Sequence, residues 1–368
     1  MIALLVVYHA LCIYTGGWPA PEGVEPNAVY WWLGHLISGF RIETIAFVGG
    51  YVMAYQCCGL GKRSRFVPWV WKKMKRLLLP AIVFGTFYYF LFRFDPSRWS
   101  AYTMTWKILN GIGHLWFLPM LFWCFILAWA LDAMLHFVEN RRQRLHKPFG
   151  WLILFALALL SLWQPTGGRL GLTRVPHFAF YFYAGYWLRV LLAGEETKTA
   201  LRKGKPFMWT CCGLTVVYLL VLMWKLQAMH YQLPAVPWTR PSWLSGYGKT
   251  AIAALRLIHT SAGIGALFAL VWHLLYGRKP VSLQVMQPAP WLRECSRLCY
   301  GVYVYHMFFM EPCYFHVGLG GIGMPAVFCQ TTFGAWLLPW VVLLLTMLLS
   351  LTATWLTLKT KAGRYAIG

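Results

Sequence analysis

Two long apolar runs restrict the folds open to this chain more than any other feature of its sequence. The runs are LLPAIVFGTFYYFLF and WLLPWVVLLLTMLLSLTATWLTL. A helix that crosses a bilayer needs about 20 mostly apolar residues, and only helices or closed barrels satisfy their backbone hydrogen bonds in lipid. Charged residues make up 12% of the chain, against about 25% in soluble domains. The sequence therefore predicts an all-α, polytopic membrane protein.

Glycines, prolines and charged residues divide the chain into ten predicted spans. The spans cover residues 1–15, 33–58, 77–93, 115–135, 149–163, 174–193, 207–225, 250–275, 298–317 and 333–358. The connections between them are too short to hold a soluble domain. We therefore predict a single membrane domain over residues 1–368, a bundle of about ten transmembrane helices. No internal repeat is apparent, which weakens the case for an inverted-repeat transporter.

The net charge of +23 is distributed unevenly along the chain. Lys and Arg in alternate connections and in the C-terminal tail number 23 on one side of the predicted bundle and 7 on the other. Connections rich in Lys and Arg stay in the cytoplasm. We therefore predict that both termini and the connection 59–76 are cytoplasmic. Because topology accounts for the basicity, nucleic acid is excluded as a partner.

The ten cysteines lie mostly within apolar segments. They form no CxxC pair and no ligand set spaced with histidines, so we predict inert buried thiols, no disulfide framework and no metal site. The chain also lacks GxSxG, HExxH and the spacing of a phosphate-binding P-loop. These absences leave the ionisable residues of the spans as the main candidates for function.

Ionisable residues inside a bilayer are costly and commonly mark a site or a pathway. One interpretation is that they pair with one another and hold the bundle together. The other is that the histidines act as bases near neutral pH. The candidates within the predicted spans are His9, Arg41, Glu43, Arg256, His259, His306 and Glu311, and His114 lies at the outer mouth of the fourth span.

The stretch WKKMKRLLLP leads into the third predicted span with three cations at helical spacing. Lys72, Lys75 and Arg76 lie at positions i, i+3 and i+4 and share one face of a helix. Such a face suits the phosphates of an anionic donor. It also suits an ordinary positive-inside anchor, and spacing alone favours the anchor.

Four blocks together resemble the acyltransferase-3 family of ten-helix membrane acyltransferases: LLVVYHA, WKKMKRLLLP, GIGHLWFLPM and YGVYVYHMFF. The resemblance implies transfer of an acyl group, most often acetyl, from acyl-CoA to a hydroxyl of an envelope or extracellular glycan. It implies no bound cofactor, since acyl-CoA is a substrate. The cell membrane expected for such a protein is the bacterial inner membrane.

The resemblance also implies roles for single residues. His9 matches the family's catalytic base, and Lys72 and Arg76 match a basic pattern associated with the acyl-CoA donor, with Lys75 beside them. Arg41 lies where the family often has a basic residue. The further matches to the family's blocks have less certain roles; they are His114, Trp116, Tyr300 and His306.

Two departures from the family pattern affect these expectations. The block FVGGY has Gly49 where the family usually has serine, so no role is carried over to a hydroxyl there. The family also has an arginine eleven positions before the histidine of the first helix, and counting back from His9 passes Met1. We expect the full-length product to begin upstream and to carry that arginine, with a shortened product as the alternative.

Two other functions stay open at this point. The first, within the same class of enzyme, is transfer of a succinyl group to a periplasmic glucan. Outside that class, a ten-helix transporter or flippase also needs histidine, arginine and glutamate within the membrane. An in-frame arginine upstream of His9 favours the enzyme.

The charge asymmetry makes a testable prediction about topology. We expect a single cysteine at Ser64, in a variant without the native cysteines, to react with an impermeant maleimide only after the cells are permeabilised. A cysteine at Glu22, in the opposite connection, is the control and is expected to react in intact cells. Labelling of the Ser64 position from outside would contradict both the topology and the side from which the donor is expected to bind.

Overall fold

A computed structural model of the protein describes residues 1–61, 65–163, 171–193, 205–228, 248–276, 290–315 and 322–367. Every regular element in those ranges is helical. The α-helices are α1 Ile2–Ala10, α2 Ala28–Ser38, α3 Arg41–Ala54, α4 Phe66–Lys73, α5 Leu79–Phe92, α6 Ala101–Leu109, α7 Phe117–Arg141, α8 His146–Leu162, α9 Val175–Ala193, α10 Lys205–Ala228, α11 Gly248–Tyr276, α12 Pro290–Tyr314, α13 Pro325–Phe328, α14 Thr332–Lys359 and α15 Lys361–Ile367.

Seven helical segments of the described ranges are long and apolar enough to cross a membrane. They are Ala28–Gly59, Phe66–Phe92, Gly113–Arg141, Gln143–Leu162, Met208–Leu226, Ala251–Leu274 and Thr332–Lys359. They correspond to seven of the ten predicted spans, and they make the chain an integral, multi-pass membrane protein. The total of ten spans and the cytoplasmic position of both termini stay predictions.

The other three predicted spans are also helical, but they differ from the seven in length or composition. Helix α1 has 9 residues, whereas α9 and α12 carry many polar side chains. Helix α9 lies inside the bundle, with Tyr181, Phe182, Tyr183, Tyr186 and Trp187 each at most 1% exposed. A helix that contacts mainly protein does not need an apolar surface, so the tyrosines of α9 are compatible with a membrane span.

The predicted span 33–58 is interrupted. Helix α2 ends at Ser38 and α3 begins at Arg41, because the backbone leaves helical geometry at Phe40. The freed carbonyl groups accept side-chain hydrogen bonds from neighbouring helices: the hydroxyl of Thr260 donates to Gly39 O at 2.6 Å, and that of Tyr218 donates to Leu36 O. Such compensation is required for irregular backbone inside a membrane.

The predicted connection 59–76 is helical over its second half. Helix α4 continues through a π-helical turn, Met74–Leu78, directly into α5. The cations Lys72, Lys75 and Arg76 therefore lie on the first turns of a membrane helix. Lys72 and Arg76 are exposed, and Lys75 is half-buried.

Helices α3 and α9 pack with their backbones in direct contact. A Cβ atom on Gly50 would clash with the carbonyl of Phe182, and one on Gly185 would clash with the carbonyl of Phe47. Small residues of this kind let membrane helices approach closely. Gly49 packs beside them, and a Cβ there would lie 3.2 Å from the Phe182 ring. The Phe182 ring therefore occupies the space that a serine side chain at position 49 would need.

We expect Gly185→Ala to lower the midpoint of thermal unfolding of the purified protein, because the added methyl group forces α3 away from α9 and overpacking costs about 1–3 kcal/mol. Gly213→Ala is the matched control, since nothing lies within 4 Å of a Cβ at that glycine. Alanine is the better helix former by about 1 kcal/mol, so the control is expected to unfold at an equal or higher temperature. Equal midpoints for both variants would contradict the packing role of Gly185.

Candidate functional site

Two glycines turn the chain so that His114 enters the bundle. Gly111 and Gly113 have φ angles of 80° and 55°, a region that side chains rarely adopt. A Cβ on Gly113 would also lie 2.9 Å from the ring of Tyr88. The glycines lead into a short 3-10 turn, Gly113–Trp116, and then into α7. His114 lies in the turn directly before α7, and only 7% of it is exposed.

Hydrogen bonds in both directions join the His114 turn to α12. The hydroxyl of Tyr303 donates to His114 O at 2.6 Å. The imidazole of His114 donates through Nε2 to Val304 O at 2.9 Å. Because a carbonyl oxygen only accepts, the proton of neutral His114 is on Nε2 and the lone pair is on Nδ1. The blocks GIGHLWFLPM and YGVYVYHMFF are therefore one structural unit.

His9 and His306 are hydrogen-bonded to each other. His9 Nδ1 lies 2.9 Å from His306 Nε2. The ring centres are 5.1 Å apart and the ring planes differ by 10°. The two rings are therefore nearly coplanar and meet edge to edge, because stacked rings would have closer centres. Edge-to-edge contact through two nitrogens is the geometry of an N–H···N hydrogen bond. His9 lies in the last turn of α1, and His306 is fully buried in α12.

The backbone of α12 fixes which nitrogen carries the proton. His306 Nδ1 lies 2.7 Å from Tyr303 O and 3.2 Å from Val302 O. Both are acceptors, so His306 carries its proton on Nδ1 and accepts through Nε2. His9 must then donate through Nδ1, which leaves its own Nε2 unprotonated. Such a nitrogen, with the other ring nitrogen held by a partner, is the arrangement of an oriented general base.

A small pocket opens beside this pair. Eight residues line it: Leu5, His9, Ile42, Ile45, His114, Trp116, Phe117 and Tyr303. His114 Nδ1 is buried and has no hydrogen-bond partner within the described parts of the chain. Two imidazoles thus line the pocket, and its other walls are mainly apolar. Trp116 forms one wall, and the Arg174 guanidinium lies 3.9 Å from the centre of its ring.

Glu43 belongs to an ion-pair cluster next to the pocket-lining residue Ile42. Its Oε1 is 3.1 Å from His177 Nε2 and 3.2 Å from Arg256 NH2, and the glutamate is buried. This cluster joins α3, α9 and α11. The pairing interpretation is therefore correct for Glu43 and Arg256. His177 was missed by sequence reasoning, although a histidine within the predicted span 174–193 carries the same signal as His9.

Glu311, five residues beyond His306 on α12, is buried and forms a second cluster with Tyr88 and the exposed Arg93. It accepts a hydrogen bond from the hydroxyl of Tyr88, and its Oε1 lies 2.5 Å from Arg93 NH2. Tyr88 packs edge-on against the ring of His114, with the centres 5.8 Å apart. Sequence reasoning did not single out Arg93 as a site candidate. Its ion pair with Glu311 is the observation that assigns it to this cluster.

Arg41 and His259 are two of the predicted site residues that do not line the pocket. The Arg41 guanidinium is 3.3 Å from the ring centre of Tyr8 and donates to Ser38 O. His259 is fully buried and stacks on the ring of Tyr218 at 4.2 Å. Among the described residues no group of three or more His, Cys, Asp or Glu side chains is arranged to hold a metal ion.

The predicted donor-binding residues and Tyr300 lie at a different depth in the bundle from His306. The hydroxyl of Tyr300 donates to the carbonyl of Arg76 at 2.6 Å. With a rise of 1.5 Å per residue, His306 lies about 9 Å further along α12, and Glu311 about 8 Å beyond that. The end with Lys72 and Arg76, the His9–His306 pair and the Glu311–Arg93 pair are therefore arranged in that order through the protein.

Comparison with known proteins identifies the family but provides no close relative. No curated protein and no solved structure matches the chain. A family model described as an acyltransferase domain matches residues 1–359. The match covers α1 to α14 and all residues of the pocket. The protein is thus a membrane acyltransferase, and the chain belongs to the acyltransferase-3 family.

Proposed function

We propose that the protein is an O-acyltransferase that moves an acetyl group from acyl-CoA to a hydroxyl of an envelope glycan. The observation that carries the proposal is that His9 lines a pocket within the bundle while its Nδ1 is hydrogen-bonded to His306, which leaves Nε2 outside that bond. Acyltransferase activity follows from the family. The donor, the acyl group and the acceptor are those that the family resemblance implies, and the chemistry of the pocket and its surroundings supports them.

The proposed reaction uses His9 as a general base. The acceptor hydroxyl donates to His9 Nε2, and its oxygen attacks the thioester carbonyl carbon as its proton moves to His9. The new C–O bond forms, the C–S bond breaks, and the departing sulfur of coenzyme A takes the proton from His9. During this step the imidazolium of His9 is held by His306 Nε2, 2.9 Å away. A hydrogen bond from a charged donor is stronger than a neutral one, so His306 stabilises the charged intermediate form of the base.

His114 supports a polyhydroxylated acceptor. Its buried Nδ1 only accepts hydrogen bonds, and leaving it unpaired costs about 1–3 kcal/mol. A sugar with one hydroxyl on His9 Nε2 has a neighbouring hydroxyl to donate to His114 Nδ1. A simple alcohol has no second donor. We infer that the pocket selects a glycan in this way.

The lining of the pocket favours acetyl over succinyl. Beside the two histidines, the side chains that enclose it are aliphatic or aromatic, and no Lys or Arg belongs to it among the described residues. A succinyl carboxylate placed there has no cation in the lining itself to pair with, and an unpaired buried charge is costly. The methyl of an acetyl group fits such walls.

The order of groups along α12 supports substrates that arrive from opposite ends. Anionic acyl-CoA meets the cations at the Arg76 end, and the acceptor enters past Glu311 and Arg93. With the predicted orientation, the donor comes from the cytoplasm and the glycan from the outer side of a bacterial inner membrane. The His9–His306 pair lies between the two ends.

The overall proposal is tested by mass spectrometry of envelope glycans from cells with and without the protein. The expected difference is a mass increment of one acetyl group per modified sugar, absent in cells that express His9→Ala. Glycans that change in amount or location without gaining an acyl group would indicate a transporter instead. Succinyl increments would contradict the argument from the pocket lining.

We expect His9→Ala to lower the rate of acyl transfer about 10²–10⁴-fold, because that is the usual contribution of a general base. His306→Phe is expected to lower kcat while the KM for acetyl-CoA stays unchanged, since it removes only the partner of His9. His306→Gln keeps an acceptor oxygen and is expected to restore part of the rate. Transfer of labelled acetyl groups in isolated membranes measures all three.

His259→Gln is the control for the loss of a buried histidine outside the pocket, and its rate is expected to be near that of the unmodified protein. Robust transfer by His9→Ala would remove His9 from the mechanism. If His306→Phe raised KM and left kcat intact, His306 would belong to donor binding and the role proposed for it would be wrong.

The donor end is tested separately. We expect Lys72→Gln with Arg76→Gln to raise the KM for acetyl-CoA and to leave membrane insertion intact. Arg142→Gln with Arg144→Gln removes the same charge from another basic segment whose residues are exposed, and its KM is expected to be unchanged. Equal effects of the two pairs would show that Lys72 and Arg76 act only as membrane anchors.

A further inference from the structure

Two exposed aromatic rings flank Lys75. Its Nζ lies 5.1 Å from the ring centre of Trp71 and 5.1 Å from that of Tyr365. Trp71 is 56% exposed and Tyr365 is 60% exposed. Both distances are within cation–π range. The chain thus places two exposed aromatic rings and an ammonium group next to the cations Lys72 and Arg76.

Helix α15 supplies one of these rings and is held firmly in place. The hydroxyl of Thr360 accepts from Gly363 N at 2.9 Å and caps the helix. A Cβ on Gly363 would clash with the carbonyl of Thr357, so glycine permits the tight turn after α14. Ile367 is buried against the core. The remaining face of α15 carries Arg364 and Tyr365, both exposed.

This helix lies just beyond the family match, which ends at residue 359. It contacts the π-helical turn Met74–Leu78 and α5. As a result, Arg364 and Tyr365 lie at the same end of the bundle as Lys72 and Arg76, whichever way the protein is oriented. No acidic residue of the described ranges pairs with these cations, so their charge is available to a ligand.

We propose that Trp71, Lys75 and Tyr365 bind the 3′-phosphorylated adenosine of coenzyme A, with its phosphates on Lys72, Arg76 and Arg364. The inference rests on the proposed function, because it assumes an acyl-CoA donor. Stacking on aromatic rings suits a base, and clustered Lys and Arg suit phosphates. The thioester is at the far end of the flexible pantetheine arm, and the His9–His306 pair lies about 9 Å deeper along α12.

Anionic lipid is the other ligand of matching charge at a membrane surface. Headgroup phosphates satisfy the cations equally well, but they have no flat ring to place against Trp71 and Tyr365. The two rings therefore favour the nucleotide. The 3′-phosphate and the adenine are the groups whose removal distinguishes these possibilities.

The test measures binding of acetyl-CoA, 3′-dephospho-acetyl-CoA and S-acetyl-pantetheine to the full-length protein in nanodiscs of zwitterionic lipid. We expect Tyr365→Ala to raise the Kd for acetyl-CoA about 5- to 150-fold, the usual range for loss of one stacked base. Tyr365→Phe is expected to bind like the unmodified protein. S-acetyl-pantetheine, which lacks the nucleotide, is expected to bind both variants equally.

Tyr102→Ala is the matched control, an equally exposed tyrosine on α6, and its Kd is expected to be unchanged. A second variant, Arg364→Gln, keeps the test decisive if Tyr365→Ala does not fold. The preference for acetyl-CoA over its 3′-dephospho form is expected to shrink in Arg364→Gln, because the 3′-phosphate loses a cation.

The outcomes separate the inference from the function on which it rests. No binding of acetyl-CoA to the unmodified protein would overturn the donor and this site together. Binding that is unaffected by Tyr365→Ala and Arg364→Gln would overturn the nucleotide site and leave the donor in place. If the two variants instead lost only their affinity for vesicles with anionic lipid, this surface would be a membrane anchor and the inference would be wrong.

Discussion

The reciprocal hydrogen bonds between the His114 turn and α12 are the interaction on which the rest of the site depends. Tyr303 donates to the His114 carbonyl, and His114 donates back to Val304. The carbonyl of Tyr303 in turn holds the proton of His306, which orients His9. Backbone carbonyl groups, which cannot change role, fix the protons of His114 and His306, and His306 then fixes that of His9. Hydrogen bonds are stronger in a medium of low dielectric, so these ring orientations are firmly held.

Sequence reasoning identified the three histidines but not their arrangement. His9, His114 and His306 were recognised because ionisable residues are rare at membrane depth and because they lie in family blocks. Which ring nitrogen faces which neighbour depends on side-chain directions that no spacing rule contains. His177 and Arg93 were missed for different reasons. His177 lies within a predicted span and carried the same signal as His9, whereas Arg93 is recognisable only through Glu311, which comes from a helix distant in sequence.

Hydropathy predicted the long helices of the fold but not the irregular segments between them. Apolar runs predicted the seven long segments well. They did not predict the break between α2 and α3, because that break depends on hydroxyl groups of α10 and α11 that replace the lost backbone partners. Composition also separates α9 from the typical transmembrane helix. Its aromatic side chains pack against other helices, so its composition reflects contacts with protein and not contact with lipid.

The π-helical turn Met74–Leu78 has a consequence for how this protein tolerates insertions and deletions. A π-turn holds one residue more than the α-helix around it. Removal of one residue from a regular α-helix rotates everything before it by about 100°. The wider π-turn takes up its extra residue with little net rotation, so removal of one residue from Met74–Leu78 restores a regular helix and leaves Lys72 and Trp71 in nearly the same direction. Relatives that differ by a single residue at this point would share both the pocket and the surface presented to the donor.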